Sequence, residues 1–145
     1  MANEWTIVEL LGPNNDGSPR RYTIADGASV SKGQVLELLD NRTVQVISGF
    51  EKPIAGVASE EHLPSVGVTS IASWTDGIFR ATSSGAAGII IGAMLTSGAS
   101  DNTVTSSGAI ETGAGHAFAA MNTHGSIRAL DAVATGTELS VRLKV

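Results

Sequence analysis

The chain has no cysteine, few aromatic residues and no long hydrophobic run, and each shortage excludes a class of structure. Without cysteine, neither disulfide bonds nor thiolate metal sites can form. Because aromatic residues make up only 4% of the chain, the core has to be built from valine, isoleucine, leucine and alanine. The longest strongly apolar run, IIIGAML at 89–95, is too short to span a bilayer as a helix. We therefore expect no membrane partner.

Basic residues are also scarce. Nine lysines and arginines stand against fourteen acidic residues, which gives a formal net charge of −5. Proteins that follow a nucleic-acid groove usually carry a basic excess, so we expect no nucleic-acid partner. The first residues, MANEWTIVELLG, lack the basic and apolar regions of a secretory signal. We expect synthesis in a reducing compartment, with retention there or assembly into something larger.

Patterns that carry chemistry are missing as well. The three histidines, His62, His116 and His124, have neither an HExxH pattern nor closely spaced carboxylates, so we expect no metal site. No GxSxG turn and no phosphate-binding loop occur, and GAGHAF at 113–118 lacks the third glycine of a dinucleotide fingerprint. The sequence therefore predicts a protein that is not an enzyme and has no cofactor.

Glycine is abundant, with 17 residues spread along the chain, and it points to the fold class. A glycine inside a helix costs about 1 kcal/mol relative to alanine, so few windows suit a helix of ordinary length. Asp76–Gly77 fits the turn of a β-hairpin. Short runs rich in β-branched residues lie between the glycines and predict strands. They are TVQVI at 43–47, SVGVTSI at 65–71, IFRAT at 78–82 and LSVRLKV at 139–145.

Two further segments, HAFAAMN at 116–122 and SIRALDAVA at 126–134, fit either a strand or two turns of helix. An internal repeat favours a strand for the first of them and leaves the second open.

The sequence contains an internal repeat with an offset of about 60 residues. The matched pairs are Gly33–Leu36 with Gly92–Leu95, Asp40–Val44 with Asp101–Val104, 53–61 with 115–123, and 73–81 with 134–143. Each half would supply one sheet or half-barrel that cannot bury its apolar face alone. We predict an all-β fold, a small antiparallel β-barrel or sandwich (β-tulip-like), built from approximate halves 22–82 and 83–145.

Residues 1–21 fall outside the repeat and are predicted to form an extended N-terminal arm and loop before a single β domain at 22–145. EWTIVELL is apolar enough to dock, and LGPNNDGSPRR has the proline, glycine and asparagine content of a loop. No lysine or arginine occurs between Arg80 and Arg128. This low-charge stretch, 83–127, indicates either thin, tightly turned strands or an oligomer interface.

One ordered set of residues runs along the chain and carries a family resemblance. In the first segment these residues are Trp5, Arg20, Arg21, Tyr22, Thr23, Gly27, Lys32, Gly33, Leu36, Asp40, Arg42 and Thr43. The set continues through Ile54–Ala58, Asp76–Phe79 and the last aliphatic strand. This order resembles that of tailed-virus head decoration (capsid cement) proteins of the DUF2190-like group. The likeness covers nearly the whole chain, although residues 83–108 are only generically similar.

The resemblance implies a structural virion protein of a bacteriophage head. Such a protein sits on the capsid exterior after synthesis in the host cytoplasm and stabilises the lattice by bridging neighbouring major capsid subunits. The family commonly forms homotrimers. Arg20 and Arg21 would offer forked donors to carboxylates, unless the pair only keeps a loop soluble. The candidate contacts with the capsid or a neighbouring protomer are Trp5, Ile7, Arg20, Arg21 and Tyr22.

A different class of function stays open, namely a receptor- or carbohydrate-binding surface module on a virion. Such a module would need exposed aromatic platforms, and the chain has only six aromatic residues in all.

Overall fold

The computed structural model describes residues 3–49, 52–84, 89, 91–99, 101–106, 126–132 and 137–145. Within them the chain forms β-strands and a single turn of 3₁₀ helix, Pro64–Val66, which confirms the all-β prediction. The strands are β1 (Thr6–Leu10), β2 (Arg20–Ile24), β3 (Val35–Asp40), β4 (Thr43–Val46), β5 (Ile54–Ala58), β6 (Ser70–Trp74), β7 (Asp76–Ser83), β8 (Met94–Ser97), β9 (Thr103–Ser106), β10 (Ser126–Ala129) and β11 (Glu138–Lys144).

Strands β2 to β6 close into a first barrel, in the order β2-β4-β3-β5-β6. β2 and β4 run parallel, and the other neighbouring strands run antiparallel. Because successive side chains point to opposite faces of a strand, Leu36, Val44 and Ile71 meet inside this barrel. All three are fully buried and belong to one apolar cluster. The first barrel therefore has its own aliphatic core.

Strands β7 to β11 close into a second barrel, in the order β7-β11-β10-β8-β9 with β9 returning to β7. The β7–β9 pair is again parallel. We predicted one antiparallel barrel or sandwich to which each half contributes a sheet or half-barrel. Instead each half closes a barrel of its own, and each barrel contains one parallel pair. Because each barrel closes on its own strands, neither half needs the strands of the other to complete its sheet.

The predicted repeat is confirmed by matching hydrogen bonds in the two barrels. The N–H of Gly33 donates to the carbonyl of Ala58 at 2.8 Å, and the N–H of Gly92 donates to that of Ala129 at 2.8 Å. Both glycines have positive φ, 92° and 83°. The turns before β4 and β9 also correspond, because the last residue of each, Arg42 or Asn102, is left-handed. Other pairings in the predicted alignment need correction.

The boundary between the halves lies at Thr75 and not at residue 82, since all of β7 pairs within the second barrel. The predicted hairpin at Asp76–Gly77 is wrong for the same reason. β6 and β7 belong to different barrels, and Asp76 begins β7 with an ion pair to Arg142. At Gly77, an added Cβ would lie 3.0 Å from the carbonyl oxygen of Glu9. Glycine is needed there for the close approach of β1, and no turn forms.

The third matched segment of the repeat was also misplaced. β5 takes the same place in the first barrel as β10 takes in the second, so 53–61 corresponds to residues near Ser126–Ala129. Residues 115–123 and the segment HAFAAMN lie outside the described part of the chain, as does most of the low-charge stretch. The start of SIRALDAVA is strand β10. More residues separate β9 from β10 than separate β4 from β5, which shifts the alignment.

The other predicted strands have mixed outcomes. TVQVI, IFRAT and LSVRLKV lie in or overlap β4, β7 and β11, as predicted. SVGVTSI is only partly right, because Pro64 starts the 3₁₀ turn and Gly67 ends it with a left-handed φ of 72°. The strand begins later, at Ser70.

The N-terminal arm docks on the second barrel of its own chain. β1 pairs with β7, next to β9, and Trp5 before it is 3% exposed. The indole N–H of Trp5 donates to the backbone carbonyl of Asn102 at 2.8 Å, and the Asn102 side chain accepts from the N–H of Val35 at 2.8 Å. These contacts join β3 of the first barrel to the second. The arm ends before Arg20, because Arg20 and Arg21 already belong to β2.

Candidate protein-binding surface

Three arginines converge at one end of the first barrel. Arg20 and Arg21 begin β2, and the left-handed Arg42 stands in the β3–β4 turn, from which it donates to the carbonyl of Arg21 at 3.1 Å. Tyr22 packs against the barrel core, and its hydroxyl lies 3.4 Å from the carbonyl of Ala55. Together these side chains line an open cavity of about 400 Å³, which we call the arginine pocket: Arg20, Arg21, Tyr22 and Arg42.

A second cavity, of about 300 Å³, adjoins the arginine pocket and shares Arg21 with it. The β5–β6 connection forms this cavity, which we call the apolar pocket after its rim of Leu63, Val66 and Val68 at 44%, 65% and 49% exposure. Polar side chains line the rest of it: Arg21, Glu60, Glu61, His62 and Ser70. The 3₁₀ turn Pro64–Val66 lies within this run of exposed aliphatic side chains. Basic side chains next to exposed aliphatic ones are a composition found at protein–protein interfaces.

His62 is a buried residue in the lining of the apolar pocket. Its ring is buried, with Nδ1 2.9 Å from the carbonyl oxygen of Ala28 and Nε2 2.6 Å from that of Val68. Its backbone also pairs with Val30. A carbonyl oxygen only accepts, so whichever ring nitrogen carries the proton donates to one of these two carbonyls. His62 thus ties the β5–β6 connection to the segment before β3.

We expect His62→Ala to lower the free energy of unfolding by about 2–3 kcal/mol, because the ring loses its contacts with the carbonyls of Ala28 and Val68 and leaves a void. Urea denaturation measures this loss. Glu61→Ala is the matched control, since the neighbouring Glu61 is exposed and should stay within about 0.5 kcal/mol of the parent. A His62→Ala variant as stable as the control would show that the ring does not anchor the connection.

Glu60 positions Arg21 between the two pockets. An oxygen of Glu60 lies 3.5 Å from the guanidinium of Arg21 and accepts the N–H of Ala72 at 2.9 Å. Arg21 also donates to the hydroxyl of Ser70 at 3.2 Å. Because the side chains of the ion pair are 63% and 42% exposed, the pair contributes little to stability. Its effect is to orient Arg21.

The structure separates the five predicted contact residues. Arg20, Arg21 and Tyr22 share the arginine pocket, whereas Ile7 lies on β1 at the second barrel and is 37% exposed. The prediction that Trp5 is a surface contact is wrong, because its buried ring packs on Phe79 within the chain at a centroid distance of 5.9 Å. Apolar character alone does not tell an exposed anchor from a core side chain.

Sequence reasoning missed Arg42 and the rim of the apolar pocket as surface residues. Arg42 was present in the matched pattern, but nothing local indicated that it reaches the carbonyl of Arg21. The rim residues Leu63, Val66 and Val68 were partly assigned to a strand. The available signal was Pro64 followed by Gly67, which marks a turn.

Other chemistry is sparse in the described part of the chain. No three His, Asp or Glu side chains there are grouped closely enough to hold a metal ion. No helix formed by these residues has the length and apolar character needed to cross a membrane. On the β10–β11 connection, the N–H of Ser140 donates to Asp131 at 2.8 Å, and this hydrogen bond lowers the pKa of the Asp131 carboxyl. Asp131 lies on the second barrel, apart from the arginine pocket.

A scan against models of protein families and a search of curated proteins found no match to this chain.

Proposed function

We propose that the chain is a structural decoration protein of a tailed-virus head. It binds the outside of an assembled capsid lattice and stabilises that lattice by bridging neighbouring major capsid subunits. The observation that carries the proposal is the pairing of the arginine pocket with the apolar pocket on one closed barrel. The order of matching residues along the chain, from Trp5 to Thr43 and beyond, gives independent support.

The two barrels suit this role because they form a body that needs little ordering when it binds. The contacts of Trp5 and Asn102 join the barrels, and the N–H of Lys52 adds a hydrogen bond to the hydroxyl of Ser97 at 3.0 Å. A rigid body loses less conformational entropy on docking than a flexible one. If three copies act as a homotrimer, modest contacts add up through avidity. The protein would be made in the host cytoplasm and assembled onto the virion exterior.

The test is binding to capsids of the virus that encodes the chain, prepared without it. We expect saturable co-sedimentation, added density on the outer surface in electron microscopy, and a higher temperature of capsid disassembly. Light scattering of the free protein would give its oligomeric state. Capsids that neither bind the protein nor gain thermal stability from it would contradict the proposal. Specific binding to glycans, measured on an array, would favour the receptor-binding alternative.

A further inference from the structure

Comparison of the two halves of the repeat shows one strand edge that is paired in the second barrel and open in the first. In the second barrel, the same side of β7 pairs with β9 at Thr82 and Ser83 and with β1 from Gly77 to Arg80. In the first barrel, β2 pairs with β4 through Thr23 and Ile24. Among the described residues, no strand lies beside the start of β2 in the way that β1 lies beside β7.

At the start of β2, the backbone N–H and carbonyl of Arg21 point away from β6, toward the open edge. The N–H groups of Thr23 and Ala25 both donate toward the β3–β4 hairpin, to the carbonyls of Arg42 and Val44. Peptide directions alternate along a strand, so the N–H and carbonyl of Arg21 point to the same side. Arg42 already donates to that carbonyl, which leaves the N–H of Arg21 facing the cavity. The corresponding residue of the second barrel, Arg80, pairs with Thr6 of β1.

Donors dominate this open edge. Among the described residues that line the arginine pocket there are three guanidinium groups and no carboxylate, although the chain as a whole has a net charge of −5 and Glu60 pairs with Arg21 from the adjoining pocket. A guanidinium offers a planar fork of N–H donors that matches the two oxygens of a carboxylate. The N–H of Arg21, for which the described residues supply no acceptor on this side, matches the carbonyl of an extended chain. Charge and backbone therefore select the same kind of occupant.

We propose that the arginine pocket binds an extended acidic segment of the partner protein, which lies beside the start of β2 as β1 lies beside β7. Carboxylates of the segment meet the guanidinium groups of Arg20, Arg21 and Arg42, and one of its carbonyls accepts the N–H of Arg21. The identification of the partner as the capsid protein rests on the proposed function; the chemistry of the occupant does not.

The test is a titration of the ¹⁵N-labelled protein with an end-blocked triglutamate peptide, followed by NMR. We expect the amide signals of Arg21 and Tyr22 to shift and those of the second barrel, such as Arg128, to stay. Triglutamine is the matched uncharged peptide and should cause no shift. Arg20→Gln combined with Arg42→Asn should weaken triglutamate binding at least tenfold. Asparagine is chosen because Asn102 holds the same left-handed conformation in the second barrel.

Arg128→Gln is the control variant, since it removes an exposed arginine from β10. The inference is overturned if triglutamine shifts the same signals equally, if triglutamate gives no shift up to about 50 mM, or if the paired variant binds as well as the parent. Equal shifts with inorganic phosphate would also overturn it, because the pocket would then bind any oxyanion and need no strand.

The two proposals fail separately. Capsids that bind the parent and the Arg20→Gln/Arg42→Asn variant equally would contradict only the inference that an acidic segment of the capsid protein binds in the arginine pocket. If the protein binds triglutamate but does not bind capsids, only the proposed function is contradicted.

Discussion

Replacing Trp5 by alanine is expected to lower the free energy of unfolding by about 3–5 kcal/mol, the range for truncating a buried aromatic side chain. The ring is 3% exposed and packs on Phe79 in the apolar cluster that also contains Val35 and Val57. That cluster draws side chains from both barrels. The substitution therefore opens a void where the halves meet.

The loss also includes hydrogen bonding. Without the indole, the carbonyl of Asn102 loses its donor, while the side chain of Asn102 keeps its bond to Val35. Trp5→Phe retains most of the apolar area but not the N–H, so it should cost only about 1–2 kcal/mol. The difference between the two variants separates packing from hydrogen bonding.

Urea denaturation at neutral pH, followed by circular dichroism, measures both variants. Val8→Ala is the control on the same segment, because Val8 is 52% exposed and its truncation should change stability by about 0.5 kcal/mol or less. A Trp5→Ala protein that unfolds together with the Val8→Ala control would mean that the arm does not join the barrels.

The repeat and the strand class could be predicted from sequence because they depend on local chemistry. A glycine with positive φ before a strand, followed by an aspartate–asparagine turn, appears in both halves around Gly33 and Gly92. Leu36 and Leu95 lie at the same distance after these two glycines, ahead of the turn, and both are buried. Such short patterns keep their meaning wherever the strand pairs.

Pairing partners could not be predicted in the same way. Asp76–Gly77 has the sequence of a hairpin turn, but β7 pairs with β11 along seven residues, and this long ladder outweighs the local turn preference. Trp5 was misread because its acceptor, the carbonyl of Asn102, lies 97 residues away in the chain. The site shows the same limit: Arg20 and Arg21 are neighbours in sequence, whereas Arg42 joins them only through the barrel.

Arg20→Ala combined with Arg21→Ala is expected to weaken capsid binding about hundredfold for each protomer, with little change in thermal stability. Hydrogen bonds to charged groups contribute about 1.5 kcal/mol or more each, so losing two arginines costs about 3 kcal/mol of binding free energy. If the protein acts as a trimer, the loss in avidity is larger still.

Stability should be spared because neither arginine is buried in the fold. Arg20 is exposed, and Arg21 keeps only the exposed pair with Glu60 and a bond to Ser70. Capsid occupancy, read from co-sedimentation at several protein concentrations, is compared with the melting temperature of the free variant. Arg128→Ala removes one exposed positive charge from the second barrel and should bind as the parent does. Unchanged occupancy of the double variant would exclude this arginine pair from the capsid contact.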